Sequence, residues 1–217
     1  MSLQTEKTNM ITQQLRAGDI LNKQILSLYD EIPRHEFVPG QFRPFAYSDL
    51  QIELPHNQRM MTPLEEATLL QALKLTGTET VLEVGTGSGF LTALLSRLAK
   101  KVISIDYFAD FTNSAKHPLT QHECNNVELV TGDAFNGWVD KAPYDIIIFS
   151  GTLETLTETH RLQTAPGGKI IAFIGKQSAI QAQLHYFDHQ GHWSVEVLYE
   201  TSLPLLIDPF KPNGFVF

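Results

Sequence analysis

The feature that most constrains this chain is a glycine-rich turn between a predicted strand and a predicted helix. Residues 81–89 read Val-Leu-Glu-Val-Gly-Thr-Gly-Ser-Gly, an aliphatic and β-branched run followed by alternating glycines. After the turn, leucines recur at helical intervals of three and four, at Leu91, Leu94, Leu95 and Leu98. A strand, a tight turn and a helix in this order present backbone N–H groups and the positive end of a helix to a ligand.

Acidic residues end three of the predicted strands. Glu83 lies near the carboxyl end of the first strand and faces the crevice where open α/β sheets bind ligands. Asp106 ends the second strand, residues 102–105, where a carboxylate can accept hydrogen bonds from ribose hydroxyls. Asp133 ends the third, residues 127–130, and is placed to contact an adenine amine, although a Gly-Asp turn alone would also explain it.

The glycine spacing selects among nucleoside cofactors. The dinucleotide fingerprint G-x-G-x-x-G, counted from Gly85, requires glycine at position 90, and Phe90 stands there. The spacing Glu83-x-Gly85-x-Gly87-x-Gly89 is the one shown by S-adenosylmethionine-dependent methyltransferases. It favours that cofactor, which carries a sulfonium cation and no pyrophosphate, and leaves a nicotinamide cofactor as the alternative. The candidate cofactor-binding residues are Glu83, Gly85, Thr86, Gly87, Gly89, Asp106, Tyr107, Asp133 and Ala134.

Composition restricts the class of protein and its partners. The 217 residues, 42% of them hydrophobic, fit one α/β domain with an N-terminal helical or lid region (1–75), a cofactor-binding core (76–175) and a C-terminal hairpin and tail (176–217). A net charge of −8 argues against broad nucleic-acid binding. We expect no membrane span and no signal peptide, because no apolar run approaches roughly 20 residues. The single cysteine, Cys124, excludes an internal disulfide and suits the cytoplasm.

The spacing of the histidines and of the glycines around Ser88 argues against a metal site and against a serine hydrolase site. The eight histidines do not pair with one another, with cysteine or with a carboxylate at a convincing metal-binding interval, so we expect no metal. Residues 87–89, Gly-Ser-Gly, are not the Gly-x-Ser-x-Gly elbow of a serine hydrolase, which would require glycine at positions 86 and 90.

The region before the glycine turn is predicted to be helical and irregular. Residues 8–29 have helical spacing, with Gly18-Asp19 as the break and the start of the second helix. The proline-broken apolar residues 36–47 are expected to pack as an irregular lid or brace. Thr62-Pro63-Leu64-Glu65 reads as a capping box that starts a further helix, and we interpret Glu65 and Glu66 as capping and solvated residues.

Strands and helices alternate up to residue 175, which predicts a doubly wound, mostly parallel sheet covered by helices on both faces. The helix after Asp106 is expected to be interrupted at Pro118. An apolar strand, residues 144–149, should end in Ser150-Gly151 over the crevice. A helix at about 152–163, a turn at 166–168 and a strand at 169–175 are predicted to follow.

The pattern changes near the C-terminus. Residues 180–187 and 193–200 are strand-like and predict an antiparallel hairpin at one edge of the sheet, joined by residues 188–191. The apolar tail, residues 209–217, is expected to pack back on the domain.

A set of segments occurs in an order that identifies a family. The most specific is Ile32-Pro33-Arg34-His35-Glu36-Phe37-Val38-Pro39. The others are Gln13-Gln14-Leu15-Arg16, Ala46-Tyr47-Ser48-Asp49, residues 82–89, Gly132-Asp133, Gly137-Trp138, Ala142-Pro143-Tyr144-Asp145 and Gly167-Gly168. Over roughly residues 9–175 the chain resembles the protein-L-isoaspartate O-methyltransferase family. The resemblance implies a seven-stranded, Rossmann-like S-adenosylmethionine-dependent fold with an added N-terminal helical region.

The same resemblance implies an activity and a partner. The family methylates the abnormal carboxylate of L-isoaspartyl residues, the first step in repair of damaged proteins, so a peptide or protein substrate is expected. Methyl transfer to a different acceptor, and a non-catalytic S-adenosylmethionine-binding module, remain the alternatives. The sequence makes no prediction about the oligomeric state.

This chain departs from the family pattern at two places. The family usually reads Gln-Thr-Ile-Ser-x-Pro before the capping box, with the serine at the active site, whereas this chain has Met61 in the serine's place. The family's paired alanines after the fourth strand are replaced by Gly151-Thr152 or nearby residues. The candidate substrate loop is therefore Arg59, Met60, Met61 and Thr62, and no catalytic residue is assigned.

Overall fold

The computed structural model describes residues 2–176, 179–187 and 192–209. Its N-terminal region begins with helix α1 (Leu3–Asn9), continues as a π-helix (Met10–Leu15) and leads to helix α2 (Lys23–Glu31). The predicted break at Gly18-Asp19 is present, but the prediction that the second helix starts there is wrong. The side chain of Asn22 caps α2 by accepting from the N–H groups of Gln24 and Ile25, and this cap sets the start at Lys23.

The next segment forms short 3-10 helices at Arg34–Glu36 and Gly40–Phe45, in keeping with the expected irregular brace. A small antiparallel hairpin of strands β1 (Ile52–Glu53) and β2 (Arg59–Met60) follows.

Helix α3 (Pro63–Leu73) begins with the predicted capping box between Thr62 and Glu65. Glu65 therefore caps the helix, as predicted. The prediction that Glu66 is solvated is wrong, because its side chain is buried against Arg34 and the residue is only 1% exposed.

A seven-stranded sheet forms the centre of the fold, with the order β5-β4-β3-β6-β7-β8-β9. The first five strands in this order are parallel, and β8 and β9 add an antiparallel hairpin at one edge. This architecture confirms the predicted fold class. The strands are β3 (Thr80–Val84), β4 (Lys101–Asp106), β5 (Val127–Thr131), β6 (Tyr144–Leu153), β7 (Thr164–Lys176), β8 (Ala179–Phe187) and β9 (Trp193–Thr201).

The helices between the strands differ in extent from the prediction. They are α4 (Phe90–Leu98), α5 (Ala109–Gln121) and α6 (Glu158–Leu162). Pro118 lies inside α5 and does not interrupt it. A helical proline removes one backbone N–H, and burial of the neighbouring Ala115 and Leu119 favours continuation of the helix.

The segment after β6 also differs. The predicted helix at 152–163 is reduced to α6, because β6 extends to Leu153 and pairs Thr152 with Phe173 of β7. The predicted turn at 166–168 lies inside β7, where the pairing with β6 shifts register and Gly167 adopts a φ of +76°. The hairpin connection 188–191 and the tail beyond Pro209 lie outside the described residues.

Hydrophobic residues pack on both faces of the sheet. One cluster combines buried side chains from residues 10–73 with α4, α5 and the sheet strands, and a second covers the opposite face. Among the described residues, no helix is both long and apolar enough to cross a membrane.

Candidate active site

An open cleft lies at the carboxyl ends of β3, β4, β5 and β6. It lies beside the glycine turn and is bounded by the β1–β2 hairpin and by a segment that follows β9. Most of the residues predicted from sequence meet there: Glu83, Gly85, Thr86, Gly87, Asp106, Tyr107, Asp133, Ala134, Arg59, Met60 and Met61. Gly89 and Thr62 are not among the lining residues.

The glycine turn depends on backbone conformations that favour glycine. Gly85 has a φ of +100° and donates its N–H to the carbonyl of Ile105 over 2.7 Å. Gly89 has a φ of +82°, and a Cβ built there would lie 2.9 Å from the Cβ of Ala115 on α5. Glycine at position 89 thus permits the close approach of the turn to Ala115 on α5.

Glu83 brings a buried carboxylate to the cleft. The residue is fully buried, and its Oε2 accepts a 2.6 Å hydrogen bond from the hydroxyl of Thr92. Its Oε1 is buried and has no hydrogen-bond partner in the protein. Burial raises the pKa of Glu83 to about 7, and the nearby hydroxyls of Ser104 and Thr92 oppose that rise. An unpartnered carboxylate oxygen that faces a cleft fits a cationic ligand group.

Asp106 connects the end of β4 to the glycine turn. Its Oδ2 accepts from the N–H of Gly87 over 2.9 Å, and its Oδ1 accepts from the N–H of Phe108 over 3.0 Å. Burial raises the pKa of Asp106, and these backbone N–H groups oppose the rise. Because each carboxylate oxygen can accept a further hydrogen bond, Asp106 retains capacity for ligand hydroxyls.

Asp133 serves the turn and also lines the cleft. Its Oδ1 accepts from the N–H of Phe135 over 2.9 Å, so the turn interpretation describes part of its role. The neighbouring Ala134 is 4% exposed, and both residues border the cleft on the β5 side.

A contact that the sequence did not predict joins the β1–β2 hairpin to the segment that follows β4. His56, at the tip of the β1–β2 hairpin, stacks on Phe108 with ring centroids 3.8 Å apart and planes 4° from parallel. Its Nε2 lies 2.8 Å from Oδ2 of Asp110, and this hydrogen bond lowers the pKa of Asp110. The hairpin therefore reaches across to the segment that follows Asp106. No local pattern marks His56 for this role, because its partners come from a different strand end.

Apolar side chains also line the cleft. Met60 and Met61 are each 5% exposed, and Leu206 and Ile207 line the cleft as well, with Leu206 against the end of β6. The hydroxyl of Ser150 is buried in the cleft wall and has no hydrogen-bond partner in the protein. Such a hydroxyl can donate to a ligand anion.

Gly151 and Thr152 have a structural role at the end of β6. The backbone N–H of Thr152 donates to the carbonyl of Pro204, and its hydroxyl donates to the carbonyl of Leu203, both over 2.8 Å. A Cβ at position 151 would lie 2.9 Å from side-chain atoms of Leu206. Glycine and threonine here allow the segment after β9 to lie against the end of β6.

The fold and the cleft together define an S-adenosylmethionine-dependent methyltransferase. Two solved structures share the fold. One is described as a protein-L-isoaspartate O-methyltransferase and superposes with a TM-score of 0.78 at 23% sequence identity. The superposed region covers 93% of this chain and 66% of the other chain. The other, from Plasmodium falciparum, is described as a beta-aspartate methyltransferase in complex with S-adenosyl-L-homocysteine, with a TM-score of 0.77, 16% identity and coverages of 93% and 98%.

Sequence comparison identifies the family. The sequence model of protein-L-isoaspartate(D-aspartate) O-methyltransferase matches residues 5–204. The protein-L-isoaspartate O-methyltransferase of Idiomarina loihiensis is 35% identical over 176 residues, which is 81% of this chain and 83% of that protein. That of Syntrophus aciditrophicus is 36% identical over 172 residues, 79% of each chain. The chain belongs to the protein-L-isoaspartate(D-aspartate) O-methyltransferase family.

Because the pKa of Glu83 is raised, we expect cofactor affinity to depend on pH. S-adenosylhomocysteine carries an ammonium group, which we expect to bind the ionised form of Glu83. Below pH 7 the carboxyl must first lose a proton, so affinity falls as the pH falls. Between pH 8 and pH 5.5 we expect a decrease of roughly 30-fold, about tenfold for each unit below the pKa. Calorimetric titration across this range measures it.

The matched variant is Glu83→Gln, which keeps the shape of the side chain and cannot ionise. It should bind more weakly at pH 8 and lose most of the pH dependence. If the affinity of the unmodified protein does not change with pH, Glu83 does not bind the ammonium group of the ligand.

Proposed function

We propose that this protein transfers a methyl group from S-adenosylmethionine to the side-chain carboxylate of L-isoaspartyl residues in peptides or damaged proteins. The observation that carries the proposal is a single cleft with two chemically different walls. Glu83, Asp106 and Asp133 line it at the strand ends beside the glycine turn, and we call this group the cofactor wall. Met60 and Met61 line it at the position of the family's active-site serine, and we call this group the acceptor wall. Membership of the family over residues 5–204 supports the choice of acceptor.

Methyl transfer to a carboxylate does not require the protein to transfer a proton. When bound, S-adenosylmethionine supplies a methyl group on a sulfonium sulfur, which leaves as a neutral thioether when the acceptor oxygen takes the methyl. A carboxylate acceptor has an ordinary pKa near 4 and is already ionised at neutral pH, so it needs no general base. The contribution of the protein is then to align the reacting groups and exclude water.

We assign the residues to these tasks by their place in the cleft. Glu83 is proposed to hold the ammonium group of the cofactor, Asp106 its ribose hydroxyls and Asp133 its adenine amine. On the β6 side, the free hydroxyl of Ser150 is the candidate donor to the acceptor carboxylate. Met61 contributes an apolar wall that keeps water from the reacting groups.

A second candidate function rests on the same wall. Met60, Met61, Leu206 and Ile207 add apolar surface to the cleft, whereas a serine at position 61 would add a hydroxyl. This composition favours an acceptor with more apolar surface than an isoaspartyl side chain. Methyl transfer to such an acceptor is the alternative.

The experiment compares an isoaspartyl peptide with the matching aspartyl peptide in the presence of labelled S-adenosylmethionine. We expect a base-labile methyl ester on the isoaspartyl peptide only, at a low rate. The double change Met61→Ser with Arg59→Thr should raise the rate about two- to tenfold, because one added hydrogen bond to the acceptor is worth about 0.5–1.5 kcal/mol.

Cofactor affinity is the control for this pair of proteins. It should change little, because the acidic strand ends are untouched. If both proteins bind S-adenosylmethionine and neither methylates the peptide, isoaspartyl transfer is excluded and the alternative acceptor is favoured.

A further inference from the structure

The side chain of Arg34 lies completely buried next to the substrate loop. One guanidinium nitrogen pairs with the carboxylate of Glu66, and the other terminal nitrogen donates to the main-chain carbonyl of Met61. The guanidinium carbon lies 5.0 Å from the ring centroid of Phe90. Arg34 is 0% exposed and Glu66 is 1% exposed.

A buried ion pair is a poor explanation for stability by itself. Moving both charges out of water is costly, and well-packed apolar residues of similar volume are often as stable. Arg34 and Glu66 form an ion pair in which both side chains are buried. The specific contribution of the Arg34–Glu66 pair is therefore the geometry that it fixes.

That geometry joins the two walls of the cleft. Met61 lies in the substrate loop, Glu66 lies on α3, and both line the cleft. Phe90 is the first residue of α4, directly after the glycine turn. One guanidinium thus contacts the acceptor wall and the element that begins beside the cofactor wall.

Tyr29 makes a second contact that links the substrate loop to Phe90. The hydroxyl of Tyr29 donates to the carbonyl of Pro63 over 3.0 Å, and its ring packs edge-on against Phe90 at 5.8 Å. The main chain on either side of Thr62 is therefore held from the same side, by Arg34 at Met61 and by Tyr29 at Pro63.

We propose that Arg34, held in place by Glu66, is a positioning residue for methyl transfer that fixes the main chain at Met61 relative to the glycine turn. The inference deepens the proposed function and rests on it. Loss of this anchor would leave the cofactor wall intact but would misalign the acceptor with the methyl group. Misalignment lowers the rate of transfer more than it lowers binding.

The test replaces the pair by apolar residues of similar volume, Arg34→Met with Glu66→Met. Arg34→Met alone is less useful because it leaves a buried carboxyl without its partner. The double variant should fold and bind S-adenosylhomocysteine within about threefold of the unmodified protein. Its kcat on the isoaspartyl peptide should fall roughly tenfold to a hundredfold, with a smaller change in KM.

The matched control is Arg97→Met with Glu31→Met, which removes a partly exposed arginine–glutamate pair of 3.0 Å elsewhere on the molecule. It should leave kcat within about twofold. Arg34→Lys keeps the charge but not the fork that reaches both Glu66 and Met61, and it should give an intermediate kcat. A lysine variant with full kcat would overturn the proposal.

Hydrogen exchange separates this inference from the proposed function. The amides of residues 58–62 should exchange at least about tenfold faster in the methionine double variant than in the control, whatever the acceptor is. Unchanged exchange and unchanged kcat in a folded double variant would overturn the positioning role. If the unmodified protein methylates no isoaspartyl peptide, the proposed function fails, and the exchange rates still decide whether Arg34 fixes the loop. Should the double variant not fold, Arg34→Lys carries the same comparison.

Discussion

A chain that begins at Thr76 is expected not to fold, although it would retain the entire sheet and every acidic residue of the cofactor wall. Buried side chains from residues 10–73 share one hydrophobic cluster with α4 and the sheet. Each fully buried aliphatic side chain contributes about 1.5–3 kcal/mol, and the whole stability of a domain is about 5–15 kcal/mol. Removing this layer exposes one face of the core, so circular dichroism should show no cooperative thermal unfolding.

The matched control is a chain that begins at Met10. It lacks α1, which has no buried residues, and keeps Met10, which is fully buried. This shorter truncation should unfold cooperatively and bind S-adenosylhomocysteine. A folded, cofactor-binding chain that begins at Thr76 would show instead that residues 1–75 form a separable unit.

The second large effect is expected for Asp106→Ala. We expect this change to remove hydrogen bonds from the ribose hydroxyls to a charged group, worth about 1.5–3 kcal/mol, and to weaken S-adenosylhomocysteine binding roughly 10- to 150-fold. The structure adds a reason for the upper part of this range. The same carboxylate accepts from the N–H of Gly87, so its loss also releases the glycine turn. Calorimetry measures the change in Kd.

Two further variants interpret the result. Asp106→Asn keeps the shape and one acceptor oxygen, so its affinity should lie between those of the alanine variant and the unmodified protein. Asp30→Ala removes an exposed aspartate paired with Lys7 and should bind within about twofold of normal. Unchanged affinity in Asp106→Ala would exclude Asp106 from the ribose site.

The features of the cleft that the sequence indicates directly are those encoded by short spacing. The glycine turn and the strands before and after it follow from local pattern, and Glu83, Asp106 and Asp133 are brought together because parallel strands place their carboxyl ends at one edge. The capping box at Thr62 is equally local, since its two partners are three residues apart. These features needed no knowledge of distant packing.

The wrong predictions concern residues whose contacts lie far away in the sequence. Glu66 was interpreted as solvated because it follows a capping glutamate, but Arg34 is thirty-two residues away in sequence and buries it. The first part of the helix predicted from residue 152 is strand instead, because Thr152 pairs with Phe173 of β7 and also bonds to the chain at Leu203 and Pro204. No window around residue 152 contains that information.

The sequence by itself determined the fold class, the cofactor and the family of this protein, because each depends on residue types at short, fixed intervals. Only the tertiary structure decided which polar groups are buried without a partner, such as Oε1 of Glu83 and the hydroxyl of Ser150. It also decided that His56 stacks on Phe108 and that Arg34 holds Met61. Burial and long-range contact are properties of elements packed together, and local sequence pattern does not specify which distant element covers a given side chain.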